Sequence, residues 1–325
     1  MVLASLASAS LQEMARIGHS RRWLPILSVC VLAAASAFGT DAHAPVNGGR
    51  WAIRLAPAQV ANGMPLLIEV TPPAPVNSLT ATWLGHDVDF DRASGRTWFA
   101  LAGVSLETKP GTYPLKLEAV NAAGQALHFE QNLRVGRAKY PTVELKVSKQ
   151  FTEPNPEQQH EIKKDQDIKH DAFARISPER EWSGPFEAPV SAETSDVFGT
   201  RRVFNGVTKS VHQGLDYRVG PGTPVMAVNR GTVLLARPLY FEGNCVVIDH
   251  GQGLLSLYLH LSELKVKEGD RVERGTEVGL SGASGRATGP HLHLAVRWQG
   301  VYLNPAVLLK LKIPDSPNKS AAAQP

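Results

Sequence analysis

The sequence predicts a mainly β protein with two β-rich parts joined by a charged helical segment. Three observations carry this. Short alternating runs bounded by Gly, Pro and Asn fill residues 45–147. A helix-start signature sits at Asn155. Glycine-punctuated apolar runs return from about residue 190 to 311. The 325 residues match about two domains. With 43% hydrophobic and 20% charged residues, the chain can bury cores, so it is not disordered as a whole. The net charge of +4, without a block of like charges, argues against nucleic acid and is at most compatible with an anionic polymer. Two cysteines exclude a disulfide framework.

In chain order, residues 23–38 form a 16-residue uncharged run preceded by Arg16, His19, Arg21 and Arg22. A basic segment, a short apolar core and small residues predict a secretory signal, since a membrane span needs about 18 or more apolar residues. Cleavage is expected after Ala37, or as late as Ala44, where Pro45 would hinder it; an uncleaved inner-membrane anchor is the alternative. Met14 is a second candidate start. Val29 argues against lipid attachment at Cys30, and Cys245, within an apolar run, is expected to be a buried small hydrophobe. The runs at 51–55, 66–70, 79–84, 97–104, 115–120, 126–135 and 142–147 read as strands, and Asn121-Ala122-Ala123-Gly124 as a hairpin turn. Seven strands in about 100 residues predict an Ig-like β-sandwich over 45–147, a binding or spacing module without a cluster of ionisable residues.

Residues 148–189 are expected to be a charged helix and linker. Asn155-Pro156-Glu157-Gln158 supplies an N-cap, a first-turn proline and a capping-box glutamine. The helix would run to about Ile176. Its sparse apolar side (Ile162, Ile168, Ala172, Phe173) predicts a solvated helix, followed by an extended stretch with Pro178, Pro185 and Pro189. Residues 312–325 read as a disordered tail.

The C-terminal part carries the chemistry. His212-Gln213-Gly214-Leu215-Asp216, if extended, puts an imidazole and a carboxylate on one face with no side chain between them. His291-Leu292-His293 points two imidazoles one way while Leu292 and Leu294 pack the other way. Tyr258-Leu259-His260-Leu261 ends an apolar strand. His250, at a turn, reads as structural or groove-lining. Two imidazole nitrogens and one carboxylate oxygen form a catalytic zinc set with an open fourth position, and further histidines nearby suit acid–base work. Each string alone is a weak signal; three within residues 212–293 are a strong one.

Residues 190–309 resemble the lysostaphin/LytM-type zinc metalloendopeptidases, which cut peptide bonds in peptidoglycan. The likeness runs through Phe198-Gly199-Thr200-Arg201-Arg202, His212 and Asp216, Gly222-Thr223-Pro224-Val225, Gly243-Asn244, Ile248-Asp249-His250-Gly251, Tyr258 with His260-Leu261, Ser281-Gly282-Ala283-Ser284-Gly285 and Gly289-Pro290-His291-Leu292-His293. It implies a folded antiparallel β-sheet metallopeptidase domain over 190–311, one Zn2+ held by His212, Asp216 and His293, and a catalytic pair His260 and His291. Leu294 departs from the aromatic residue common there. The implied substrate is peptidoglycan peptide stems, with the D-alanyl-diaminopimelate cross-link preferred. The implied setting is the periplasm of a Gram-negative-type envelope. A monomer is expected, with the sandwich available to an envelope partner. The rival is a catalytically silent or latent regulator of another wall hydrolase, and the complete set of five residues speaks against it.

Overall fold

The computed structural model describes residues 50–315 apart from 176 and 207. The expected signal (1–37, or to 44) and most of the expected tail lie outside the described residues. Leu311 and Ile313 are buried, so packed chain continues past residue 311. No helix among the described residues is long and apolar enough to cross a membrane.

The chain is mostly β, largely antiparallel. Residues 52–136 form a four-stranded sheet (Ala52–Ala56, Pro65–Thr71, Trp98–Gly103, Asp91–Arg92) and a five-stranded one (Val60–Ala61, Ala126–Gly136, Gly111–Asn121, Val76–Trp83, His86–Asp89). In Gly111–Asn121, Leu115, Leu117 and Ala119 are buried and alternate with exposed positions, as in a sheet with one wet face. Trp98–Gly103 differs: all six residues are buried. One face meets the five-stranded sheet, where Trp83 Nε1 donates to the Gly103 carbonyl at 3.0 Å. The other meets the C-terminal half: a Cβ on Gly103 would touch Leu303 at 2.7 Å, and the Phe99 and Trp182 rings lie 6.0 Å apart. Arg180 Nε to Asp91 at 2.9 Å and Asn304 N to the Gly63 carbonyl at 2.8 Å tie the same surfaces. A spacing module would keep that face in water; here it shares a core with the rest of the chain.

Two expectations for the middle segment change. The run at 142–147 contributes the strand Thr142–Leu145, which pairs in parallel with Arg201–Phe204 and with neither N-terminal sheet. The helix Pro156–Phe173 starts at the expected cap, with Asn155 and Gln158 forming a reciprocal capping box; most of it is exposed as expected, but one side of it is packed. Ala172, Ile168 and Phe173 pack on Leu235, Val247, Leu255, Leu257 and Ala295, one face of the C-terminal sheet. Polar contacts supplement the sparse apolar side: Lys169 Nζ meets Glu242 Oε1 at 2.5 Å, and Asp165 Oδ2 accepts from Tyr240 N at 2.6 Å. The proline-rich stretch beyond it is likewise packed, with Trp182 and Phe186 buried.

The C-terminal half is built on a sheet in the order Thr194–Asp196, Gly214–Tyr217, Leu292–Trp298, Leu254–Leu261, Gly243–Asp249, Gly231–Leu239, Arg271–Val272, with Val301–Leu303 on Leu292–Trp298. Gly214–Tyr217 and Leu254–Leu261 both flank Leu292–Trp298, with Asp216 and Leu259 each opposite His293. This register draws the three histidine strings into one place. Cys245 is buried, as its apolar run implies, and burial pushes its thiol up. His250 is fully buried and structural: Nδ1 donates to the Arg230 carbonyl at 2.7 Å, and Nε2 lies 2.8 Å from Ser256 Oγ.

Candidate metal centre

Asp216 sits across from His293 in the antiparallel pair, so the two side chains meet directly. His293 Nδ1 lies 2.7 Å from Asp216 Oδ1, and His212 Nε2 lies 3.0 Å from each of these atoms. All three residues are buried. His212 is not on a continuous extended run with Asp216. It lies between the strands Thr208–Val211 and Gly214–Tyr217, and mutual hydrogen bonds with Gly199 and Thr200 hold its backbone. Gly214 is needed for space: a Cβ there would lie 2.4 Å from His293 Nε2 and 2.6 Å from the Leu294 carbonyl oxygen.

The donor chemistry of this trio calls for a cation. Val197 carbonyl accepts from His212 Nδ1 at 2.9 Å, so that nitrogen carries the proton and Nε2 presents a lone pair. Asp216 Oδ1 is an acceptor only. One proton on His293 Nδ1 satisfies one of the three close pairs and leaves the His212 and Asp216 lone pairs facing each other. Asp216 stays ionised: burial opposes its charge, but the hydrogen bond from His293 and the two imidazoles beside it hold its carboxyl far below the usual range. Burial lowers His293 to about 4, keeping it neutral as a ligand imidazole must be. Tetrahedral zinc with bonds of about 2.0 Å needs ligand atoms about 3.3 Å apart, only slightly wider than the contacts seen.

The loop from Asp196 to Arg202 orients two members of the trio. Arg202 Nη2 contacts Asp216 Oδ2 at 2.5 Å, which leaves Oδ1 for the centre. Asp196 Oδ2 accepts from Arg202 Nε at 2.9 Å, and Asp196 Oδ1 accepts from Thr200 Oγ1 at 2.7 Å. The same loop provides the carbonyl that selects the His212 tautomer. The loop rests on the N-terminal half: a Cβ on Gly199 would fall 2.2 Å from the Tyr140 ring, and one on Gly63 would fall 2.5 Å from the Tyr140 hydroxyl. Tyr140 in turn donates to the Asn62 carbonyl at 2.8 Å. In the sequence, Arg202 falls inside the family-like stretch with no task of its own, and Asp196 goes unmarked. An aspartate six residues before an arginine is the available signal, but Arg201-Arg202 reads equally well as surface charge.

His260 and His291 stand beside the trio, their ring centres 4.9 Å apart; the His260 ring is 6.0 Å from that of His293, and His291 Nε2 is 3.8 Å from Asp216 Oδ1. Both Nδ1 atoms donate to carbonyls, His260 to Ser284 and His291 to Gly289, each at 2.8 Å. Their Nε2 atoms are thereby left as the basic ones. His260 has φ +64 where the pairing with Gly243–Asp249 slips between Asn244 and Val246. Two residues then oppose one, and the bulge re-aims this side chain. Burial, then repulsion from His293 and His291, lowers His260 to about 3.

The profile described as Peptidase family M23 matches residues 210–305, a span that holds all five of these residues. A crystal structure of a peptidase M23 from Pseudomonas aeruginosa aligns with a TM-score of 0.58 and 32% identity, over 77% of this chain and 95% of that one. The chain belongs to peptidase family M23. Among curated M23-like relatives, peptidoglycan DD-endopeptidase ShyA of Vibrio cholerae is 39% identical over 145 residues, 44% of this chain and 30% of the relative. DD-carboxypeptidase/endopeptidase Mpg of Neisseria meningitidis is 37% identical over 137 residues, 42% of this chain and 31% of the relative. This M23 chain thus spans under a third of the length of those two curated relatives.

Proposed function

We propose that the chain is an exported zinc metalloendopeptidase that hydrolyses peptide cross-links of peptidoglycan, acting on the D-alanyl-diaminopimelate bond. The observation that carries this reading is the convergence of His212 Nε2, Asp216 Oδ1 and His293 Nδ1, with contacts of 2.7–3.0 Å and too few protons to satisfy them. The substrate class follows from the relatives named above, and export follows from where that substrate lies.

In this reading His212, Asp216 and His293 hold zinc. Zinc bound there supplies Lewis acidity toward a carbonyl oxygen and makes hydroxide accessible near neutral pH. The imidazoles of His260 and His291 do the proton work. Each has its Nδ1 proton tied to a carbonyl, which leaves Nε2 to accept a proton from the attacking water. One imidazole accepts that proton, and the leaving amine takes it up when the C–N bond breaks. The other, when it carries a proton on Nε2 as well, donates a hydrogen bond to the developing oxyanion. Asp196 and Arg202 keep the ligand atoms aimed.

The experiment is digestion of purified murein by the full chain, with mass spectrometry of the released muropeptides. A chelator should abolish cleavage, added zinc should restore it, and the products should be monomers split at the cross-link. Cleavage that survives the chelator, or a chain that neither binds zinc nor cuts, refutes the proposal. The latter result is what a silent regulator gives.

A further inference from the structure

Arg286 lies on the loop that also provides the Ser284 carbonyl to His260. Its backbone N donates to the Phe241 carbonyl at 2.9 Å, which pins the loop onto the turn carrying Phe241 and Glu242. The Arg286 guanidinium carbon sits 5.1 Å from the centre of the Phe204 ring and 4.7 Å from that of Phe241. Phe204 follows Arg202 by two residues on one strand, so the two share a face, and Arg202 touches Asp216. Arg286 is thus a neighbour of the metal centre. The half-buried guanidinium has its charge disfavoured first by burial, and Arg202 adds repulsion.

Ring contacts use none of a guanidinium's N–H donors. Among the described residues no hydrogen bond or ion pair claims those of Arg286. Glu242 is near enough to favour the charge, yet its Oε1 is committed to Lys169 and its buried Oε2 makes no hydrogen bond to Arg286 or to any other group among the described residues. A planar fork of five donors, half-buried and flanked by two phenyl rings, suits a carboxylate that approaches in its plane.

We propose that Arg286 forms a carboxylate subsite of this enzyme, a deepening that rests on the endopeptidase reading above. In a D-alanyl-diaminopimelate cross-link, one diaminopimelate carboxyl group is free and is bonded to the carbon that bears the leaving amine. It is the anion nearest the scissile bond, and Arg286 binds it.

The test uses the zinc-loaded full chain and two purified cross-linked peptide dimers. One has that carboxylate free; in the other it is amidated. Wild type should prefer the free acid. R286Q should raise KM for the free acid about tenfold or more, as expected for a lost charge-assisted pair, with kcat little changed. KM for the amidated dimer should stay near the wild-type value, and R286K should recover part of the loss. Equal cleavage of both dimers by wild type overturns the subsite while leaving the endopeptidase reading intact, and it does so even if R286Q fails to fold. An equal loss on both dimers in R286Q overturns it as well. A wild type that cuts neither dimer overturns the endopeptidase reading and the subsite with it.

Discussion

Gly214→Ala adds one methyl group and removes no ligand, which makes it a direct probe of the His293 position. Gly214 does not have a positive φ, so alanine fits its backbone and the problem is purely one of space. The new Cβ would lie 2.4 Å from His293 Nε2, 2.5 Å from Cε1 and 2.6 Å from the Leu294 carbonyl oxygen. Ordinary contact needs about 3.5 Å, so ring and strand must each retreat by about 1 Å. The strand is held in register on both sides, and the ring has His212 and His260 as neighbours. Overpacking of this kind costs about 1–3 kcal/mol, a fall of several degrees in Tm. A displaced ligand should weaken zinc binding at least as much as loss of an orienting partner does, about 10–100-fold. Competition with a chromophoric chelator, run on folded Gly214→Ala beside His293→Ala, reads this directly. A folded Gly214→Ala variant that binds zinc as tightly as wild type would refute the claim that His293 is held against that backbone as a ligand.

His291→Ala should keep much of the zinc and lose turnover, whereas His293→Ala should lose both; equal zinc loss in the two, measured by metal analysis, would show the roles to be misassigned. Arg202→Met frees Asp216 Oδ2 and Asp196 at once, so zinc affinity should drop about 10–100-fold by the same competition assay. Unchanged affinity would make Arg202 a bystander. Burial lowers His250 to about 4 from an ordinary 6.5, so the unfolded chain binds the extra proton first as pH falls. The stability that depends on this neutral imidazole is complete above about pH 6.5 and drains away toward pH 4. The total is about 3 kcal/mol. Urea denaturation across that window should therefore show a smaller pH slope in His250→Gln than in wild type, and equal slopes would refute the assignment.

How much was legible depends on the distance over which a fact is decided. Strand alternation is local, so His291 and His293 could be placed on one face and Leu292 and Leu294 on the other from single letters. The helix cap at Asn155 is equally local. The pairing of Asp216 with His293 is not: it needs Gly214–Tyr217 to lie antiparallel to Leu292–Trp298 in one register, and a slip of one residue would turn the carboxylate away. Only the likeness to a known family carried that information forward.

What stayed hidden is of the same kind. The helix Pro156–Phe173 looked solvated because its apolar side is thin, yet Lys169 and Asp165 find Glu242 and Tyr240 more than seventy residues away. The strand at Thr142–Leu145 has the alternation of its neighbours, and nothing in that pattern says that its partner is Arg201–Phe204. That pairing matters for the site. It backs the strand bearing Arg202, while Tyr140, just before it, fills the space beside Gly199 and Gly63. The loop that selects the His212 tautomer is therefore braced by residues of the N-terminal half. A substitution at Tyr140 should accordingly be felt first as weaker metal binding, since the chain it releases ends on Val197, whose carbonyl holds His212 Nδ1.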